Sequence, residues 1–276
     1  MPADLADVLS TIERLWPVSG AEGWDSVGLV TGDPAATVRR VLLTVDAVGE
    51  TVDEALEWGA DLVIAHHPLL LRGVTTVAED RYKGAILARL IRGGCALVAA
   101  HTNADVVERG TSAVLAERLG LVDGRPIVPS AGPGGEAGHG LGRVGRLAQP
   151  TTVGRLARQL AEILPPTATG VRVAGGFDDP VETVALCGGA GDSLIGDPAV
   201  RAADAYITAD LRHHPASESR EQSKLTGGPA LIDVSHWASE WLWLDAAAEQ
   251  LREAHPELEL RVSELRTDPW DFQVVQ

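Results

Sequence analysis

The sequence predicts an α/β protein of two similar, interlinked lobes, each a mixed sheet covered by helices, with a metal site between them. Three observations in the 276 residues lead there. Short apolar runs alternate with segments of helical period, the pattern of strands and covering helices. The alternation lapses over residues 121–140, which hold the stretch SAGPGGEAGHG, and then restarts. Three of the apolar runs are followed directly by clusters of His and carboxylate residues, at the strand ends where α/β proteins bind ligands.

Taken in order, Leu5, Val8, Leu9, Ile12 and Leu15 share helical spacing over residues 4–15, and Pro17 with Gly20 ends that helix. After a loop containing Trp24, Asp25 and Gly28, VRRVLLTVD reads as a strand, TVDEALEWG as a helix and DLVIA as a strand. Residues 81–92 follow as a helix, CALVAA as a strand and residues 111–119 as a helix closed by Gly120. These elements make a first lobe over residues 1–125. Residues 126–140 form the Gly/Pro-rich connection, and the second lobe spans 141–276. There LGRVGRL is strand-like, VGRLARQLAEIL helical, VRVAGG and VETVALCGG strand-like, and LIGDPAVRAA helical. AYITAD and PALIDVS read as strands and residues 237–251 as a helix. ADLVIAHHP at 60–68 is echoed by ADAYITADLRHHP at 203–215, as two related lobes would produce. A strand followed by polar residues is common in α/β proteins, so the echo alone does not separate duplication from coincidence.

Composition narrows the function. Lys and Arg number 23 against 39 Asp and Glu, a net charge of −16 that repels phosphate backbones and anionic lipid. Nucleic acid and membrane are therefore not expected as partners, whereas bound divalent cations could still attract an anionic small-molecule substrate. Cys95 and Cys187 lie in separate apolar runs and form no C-x-x-C pair, which predicts buried, reduced thiols. Acidic residues early in the N-terminus, and no run of 18 apolar residues, lead to an expected cytoplasmic location.

The first cluster is His66-His67-Pro68, after LVIA. Successive residues leaving a strand diverge, so two imidazoles can address two metals, and Pro68 holds His67 extended. A pair of ordinary loop histidines is the competing explanation. The second is His101-Thr102-Asn103-Ala104-Asp105, after CALVAA, where imidazole beside carboxylate suits Zn, Mn or Fe. Taken alone, Asp105 reads more simply as a cap for a helix starting near Val106 or Gly110. The third is Ser235-His236-Trp237-Ala238-Ser239-Glu240, whose His236 and Glu240 share a helical face at i and i+4. An exposed first-turn Glu is the alternative there. Coincidence of all three at strand ends favours a metal site, and three His with two carboxylates match two metals sharing a carboxylate. His214, with His213, is a candidate acid–base or substrate-binding group, and equally a solvated helix start. Gly188-Gly189-Ala190-Gly191-Asp192-Ser193 could cradle a phosphate, but fits no phosphate-loop pattern and reads more simply as a tight turn.

W-D-S-V-G-L at 24–29, A-H-H-P at 65–68, H-T-N-A-D at 101–105 and D-V-S-H-W-A-S-E at 233–240 together resemble the NGG-interacting-factor-like family of dinuclear-metal proteins, whose members carry the name GTP cyclohydrolase 1 type 2. G-L-G-R-V-G at 140–145, C-G-G-A-G at 187–191 and D-A-Y-I-T at 204–208 extend the likeness nearly end to end. The resemblance implies that His66 and Asp105 bind one metal, that His67 and His236 bind the other, and that Glu240 bridges them. It places His101 among or beside the ligands, as a candidate catalytic residue with His214. It also implies a toroidal homohexamer, and the short middle loop implies that the inserted domain of larger members is absent. Ala104 stands where many relatives have Leu, and TAD at 208–210 where Thr-Gly-Asp or Thr-Gly-Glu is frequent; neither change removes a ligand. The function expected is a hydrolase with two divalent ions per chain, Zn, Fe or Mn, attacking a nucleotide-like or other small substrate. The rival function is a non-catalytic metal-binding ring scaffold or interaction protein.

Overall fold

The computed structural model describes residues 3–130 and 138–275. It is an α/β protein that divides into two compact units, Met1–Val107 with Leu244–Thr267, and Glu108–Trp243 with Asp268–Gln276. Among the described residues no helix is long and apolar enough to cross a membrane.

The first unit is built on a five-stranded sheet. Its middle strands Arg40–Thr44, Leu62–Ala65 and Ala96–Ala99 run parallel, flanked by parallel Glu259–Val262 and antiparallel Gly28–Thr31. Leu62–Ala65 and Ala96–Ala99 are buried at every position, which is why they read as unbroken apolar runs. The covering helices Gly49–Trp58 and Tyr82–Gly93 bury Val52, Ala55, Ile86, Leu87 and Leu90 in one cluster with Leu42, Val63 and Leu97. The N-terminal helix Leu5–Leu15 starts where the Asp4 carboxylate accepts the Asp7 amide at 2.8 Å, and buries the predicted Leu5, Val8 and Ile12.

The second unit carries a six-stranded mixed sheet in the order 172–174, 230–234, 205–209, 180–190, 143–152, 121–125. Strands Pro180–Ala190, Ala205–Ala209 and Ala230–Val234 are parallel, and the rest are antiparallel. Its core joins Val144, Ala185, Cys187, Val200, Tyr206 and Leu231.

Several elements depart from the sequence reading. Leu121–Arg125, taken there as part of a structureless stretch, is an edge strand paired to Arg143–Thr152. Val128–Pro129 pairs with Gly140–Leu141, while residues 131–137 of the expected connection lie outside the described residues. LIGDPAVRAA, residues 194–203, follows a 3₁₀ turn that ends at Leu194 and is helical only over Pro198–Arg201, started by the Asp197 side chain accepting the Ala199 amide. A Pro at the first helical position and a cap just before it begin a new helix there. The units also distribute the chain differently from a division at 125 and 141. Glu259–Val262 pairs with Arg40–Thr44 and so belongs to the first sheet, and Leu121–Arg125 belongs to the second.

Cys95 and Cys187 are buried and form no disulfide. Burial, aided by the Asp61 carboxylate, pushes the Cys95 thiol up to about 12. Only the thiolate attacks electrophiles, so neither cysteine of the native protein is expected to react with a thiol reagent at neutral pH. Both are expected to react in denaturant. Rapid native labelling of Cys95 would contradict this burial.

Candidate metal centre

In the first unit the parallel strands end in register, Thr44 opposite Ala65 and Ala65 opposite Ala99. The chain past each end stays tied to its neighbour. The His66 amide donates to the Thr44 carbonyl at 2.9 Å, the His67 amide to Val45 at 2.8 Å and the Ala100 amide to Ala65 at 2.9 Å. His66, His67 and His101 therefore emerge side by side, with ring centroids 5.3 Å (66–67), 5.3 Å (66–101) and 5.5 Å (67–101) apart. One ligand nitrogen from each falls within 4.8 Å of the others, a group that could hold a metal ion. Asp105 joins it through an oxygen 3.6 Å from His66 Nε2.

Asp105 is not a helix cap. It ends the one-turn helix Thr102–Asp105, which follows His101, and the next helix, Thr111–Arg118, begins after Gly110.

In the second unit the same edge logic operates. Ala209 pairs with Val234 and with Ala190, so Asp210, the start of helix His236–Ala254 and Gly191 leave adjacent strands. Ser235 starts the helix by accepting the Ala238 amide on its hydroxyl at 3.2 Å. One turn separates His236 from Glu240, whose Oε1 lies 3.0 Å from His236 Nε2. Asp210, at φ 57°, takes the left-handed conformation that Asp tolerates better than most residues, and its carboxylate meets His236 Nδ1 at 2.7 Å.

Whether these residues suit a metal is decided by the other nitrogen of each ring. His66 Nδ1 lies 2.8 Å from the Ala100 carbonyl, His67 Nδ1 2.7 Å from Asp46, His101 Nδ1 2.9 Å from Asp25 and His236 Nδ1 2.7 Å from Asp210. Each partner is an acceptor, so each Nδ1 carries the hydrogen and the neutral ring's lone pair sits on Nε2. Metal-binding histidines are held this way, with the second nitrogen donating to a carboxylate or carbonyl. The donor set fits a borderline divalent ion.

Electrostatics agree. Burial, then the neighbouring His66, hold His101 below the ordinary imidazole value against the pull of Asp25 and Asp105. Burial works to raise Asp25, but the Thr102 hydroxyl and His101 outweigh it and hold the carboxyl below its usual range. Burial works to lower His236, but Glu240 and Asp210 push it up to about 11. In the cationic ring Nε2 also carries a hydrogen, so a divalent ion binding there would displace a proton, and such binding would strengthen as pH rises.

The three anchoring carboxylates, Asp25, Asp46 and Asp210, carry no functional assignment in the sequence analysis. A signal for two of them was available: Asp46 and Asp210 end VRRVLLTVD and AYITAD, at the strand ends where the histidines also lie. Asp46→Asn is expected to weaken metal binding about 10–100-fold, since an amide can offer His67 its N–H₂ in place of an acceptor. A chelator competition titration measures it, and unchanged affinity would detach His67 from the centre.

The second His-His-Pro does not repeat the first. His66 follows its strand directly, whereas Asp210 takes that place after Ala205–Ala209, and His213 and His214 open the exposed helix His213–Thr226 with rings 5.3 Å apart. Two amides of the glycine run are engaged within the protein. The Gly188 amide donates to the Ser112 hydroxyl at 3.1 Å and the Gly189 amide to the Ser239 hydroxyl at 2.9 Å, so both are committed to protein oxygens.

Fold and side chains define a mixed α/β protein with strand-end His and carboxylate groups able to hold metal ions. The chain belongs to the Duf34/NIF3 (NGG1p interacting factor 3) family, whose model matches residues 3–269. It is 48% identical over 274 residues to a GTP cyclohydrolase 1 type 2 homolog of Streptomyces coelicolor, covering 98% of this chain and 94% of that one. A Mycobacterium tuberculosis protein of the same name is 36% identical over 376 aligned positions, 100 more than this chain has residues, covering 99% and 98% of the two. Among solved structures, a Bacillus cereus protein related to NIF3 superposes with TM-score 0.88 at 24% identity, over 99% of this chain and all of that one. A Staphylococcus aureus hypothetical protein gives 0.87 at 26%, with the same coverage.

Proposed function

We propose that the protein is a metal-dependent hydrolase that holds two divalent ions per chain, Zn, Fe or Mn, through His66, His67, Asp105, His236 and Glu240. The observation that carries this reading is the uniform anchoring of Nδ1 in His66, His67, His101 and His236, which commits every Nε2 to an electrophile. Support for hydrolysis comes from the name of the relatives, GTP cyclohydrolase 1 type 2 homolog. Bound there, a pair of divalent ions supplies Lewis acidity and a water acidified toward neutral pH.

Each residue then has a defined task. His66 and Asp105 serve one ion, His67 and His236 the other, and Glu240 both. Five side chains across two ions leave positions open to water and substrate, unlike a closed structural site. His101, whose Nδ1 is anchored by Asp25, would exchange a proton with a bound nucleotide-like or other small substrate, and His214 is the second acid–base candidate. The working assembly is a ring of six copies in the cytoplasm, which light scattering and fractionation test.

The deciding experiment measures metal per chain together with turnover of GTP, phosphoesters and cyclic nucleotides, with apo protein as control. Two ions and metal-dependent turnover are expected. Two ions with no turnover on the panel would favour the scaffold, and no bound ion would end both readings. His67→Ala is expected to lose one ion and keep the other; retention of both would place His67 outside the ligand set.

A further inference from the structure

Trp24 stands out beside the histidine cluster. The residue is 61% exposed, and its ring centroid lies 5.9 Å from that of His101 with the planes at 76°. Leaving an indole in water forfeits one of the largest apolar burials any side chain offers, so its place against a candidate ligand calls for an occupant.

The loop that carries it is tied down on both sides. The Glu22 amide donates to the Thr102 hydroxyl at 2.9 Å, and the Asp25 amide to the Glu22 carbonyl at 2.9 Å. The Asp25 side chain is fully buried and accepts from the Thr102 amide at 3.1 Å and from His101 Nδ1 at 2.9 Å. The backbone on either side of Trp24 is thus anchored to Thr102 and His101, the residues its ring stands beside. The neighbouring Gly23 is exposed and adds no side chain between the indole and solvent. The chain around it is not an apolar patch of the kind a protein interface needs, because Glu22, Gly23 and Ser26 are also exposed.

We propose that Trp24 is a stacking platform for a planar heteroaromatic ring, the base of a mononucleotide held at the metal centre. Every nucleobase has a π-face to lay on an indole, and its phosphates would be drawn to divalent ions despite the net charge of −16. This inference rests on the hydrolase reading and names its substrate class.

The test uses the zinc-loaded full chain and two probes in calorimetric titration, GTP and base-free tripolyphosphate. GTP is expected to bind wild type more tightly than tripolyphosphate. Trp24→Ala is expected to weaken GTP about tenfold or more and leave tripolyphosphate unchanged, while Trp24→Phe retains most of the GTP affinity. A merely structural role would move both probes together. The proposal is overturned if wild type does not prefer GTP, if Trp24→Ala binds GTP as wild type does, or if both probes weaken equally. A smaller assembly of Trp24→Ala with unchanged GTP affinity would also overturn it, by assigning the indole to a subunit contact. Zinc content of the same samples separates the two readings. No bound zinc defeats the metal-dependent hydrolase, whereas full zinc with base-independent binding defeats the platform alone.

Discussion

Glu240→Ala is expected to leave the chain without tightly bound metal, taking it from two ions to none. In the proposed ligand set one carboxylate serves both ions, so its loss removes a negative charge and a donor from each. Neutralisation by an anionic donor matters most where two dications lie roughly 3.5–4 Å apart, as in two-metal sites generally. Glu240 is 3% exposed, so no neighbouring flexible carboxylate is expected to replace it from solvent. Elemental analysis after desalting gives the result, and Glu240→Gln, which preserves shape without charge, separates lost charge from a packing defect. Two ions retained in Glu240→Ala would remove the bridging role. One ion retained would make Glu240 a ligand of a single metal.

Gly189→Ala, which replaces no ligand, is expected to lower metal affinity at least tenfold, on the scale seen when groups supporting a ligand are changed. A Cβ at Gly189 would lie 2.3 Å from Glu240 Oε1 and 3.3 Å from His236 Nε2. The carboxylate must move, and it moves relative to the imidazole it pairs with. Gly189 also has φ +67°, where a side chain costs about 1–3 kcal/mol of stability. Gly94→Ala is the control: φ there is +66° and a Cβ would meet nothing within 4 Å. Both variants are expected to lose stability in denaturant titrations, Gly189→Ala at least as much as Gly94→Ala, but only Gly189→Ala to lose metal. Wild-type metal affinity in Gly189→Ala would show that Glu240 does not need this glycine to hold its place.

The metal candidates were legible because local rules set them. LVIA and CALVAA are buried on both faces and stand out as apolar runs, so the polar residues immediately after them mark strand ends without any knowledge of the sheet. His236 and Glu240 follow from helical spacing alone. What was hidden in the site lies far along the chain: Asp25 meets His101 across 76 positions, Asp210 meets His236 across 26 and Asp46 meets His67 across 21. The same holds for the fold, where Glu259–Val262 and Leu121–Arg125 are largely exposed or half-buried edge strands with no unbroken apolar run to mark them.

By itself, then, the sequence determined the α/β class, most strands and helices, and which histidines and carboxylates stand at strand ends. Those are consequences of hydrophobic period and chain direction within a few residues. Only the tertiary structure decided which carboxylate orients which imidazole, that Gly189 faces Glu240, and to which sheet the edge strands belong. These depend on strand order and register, which are set by packing between segments distant in sequence and leave no trace in local periodicity.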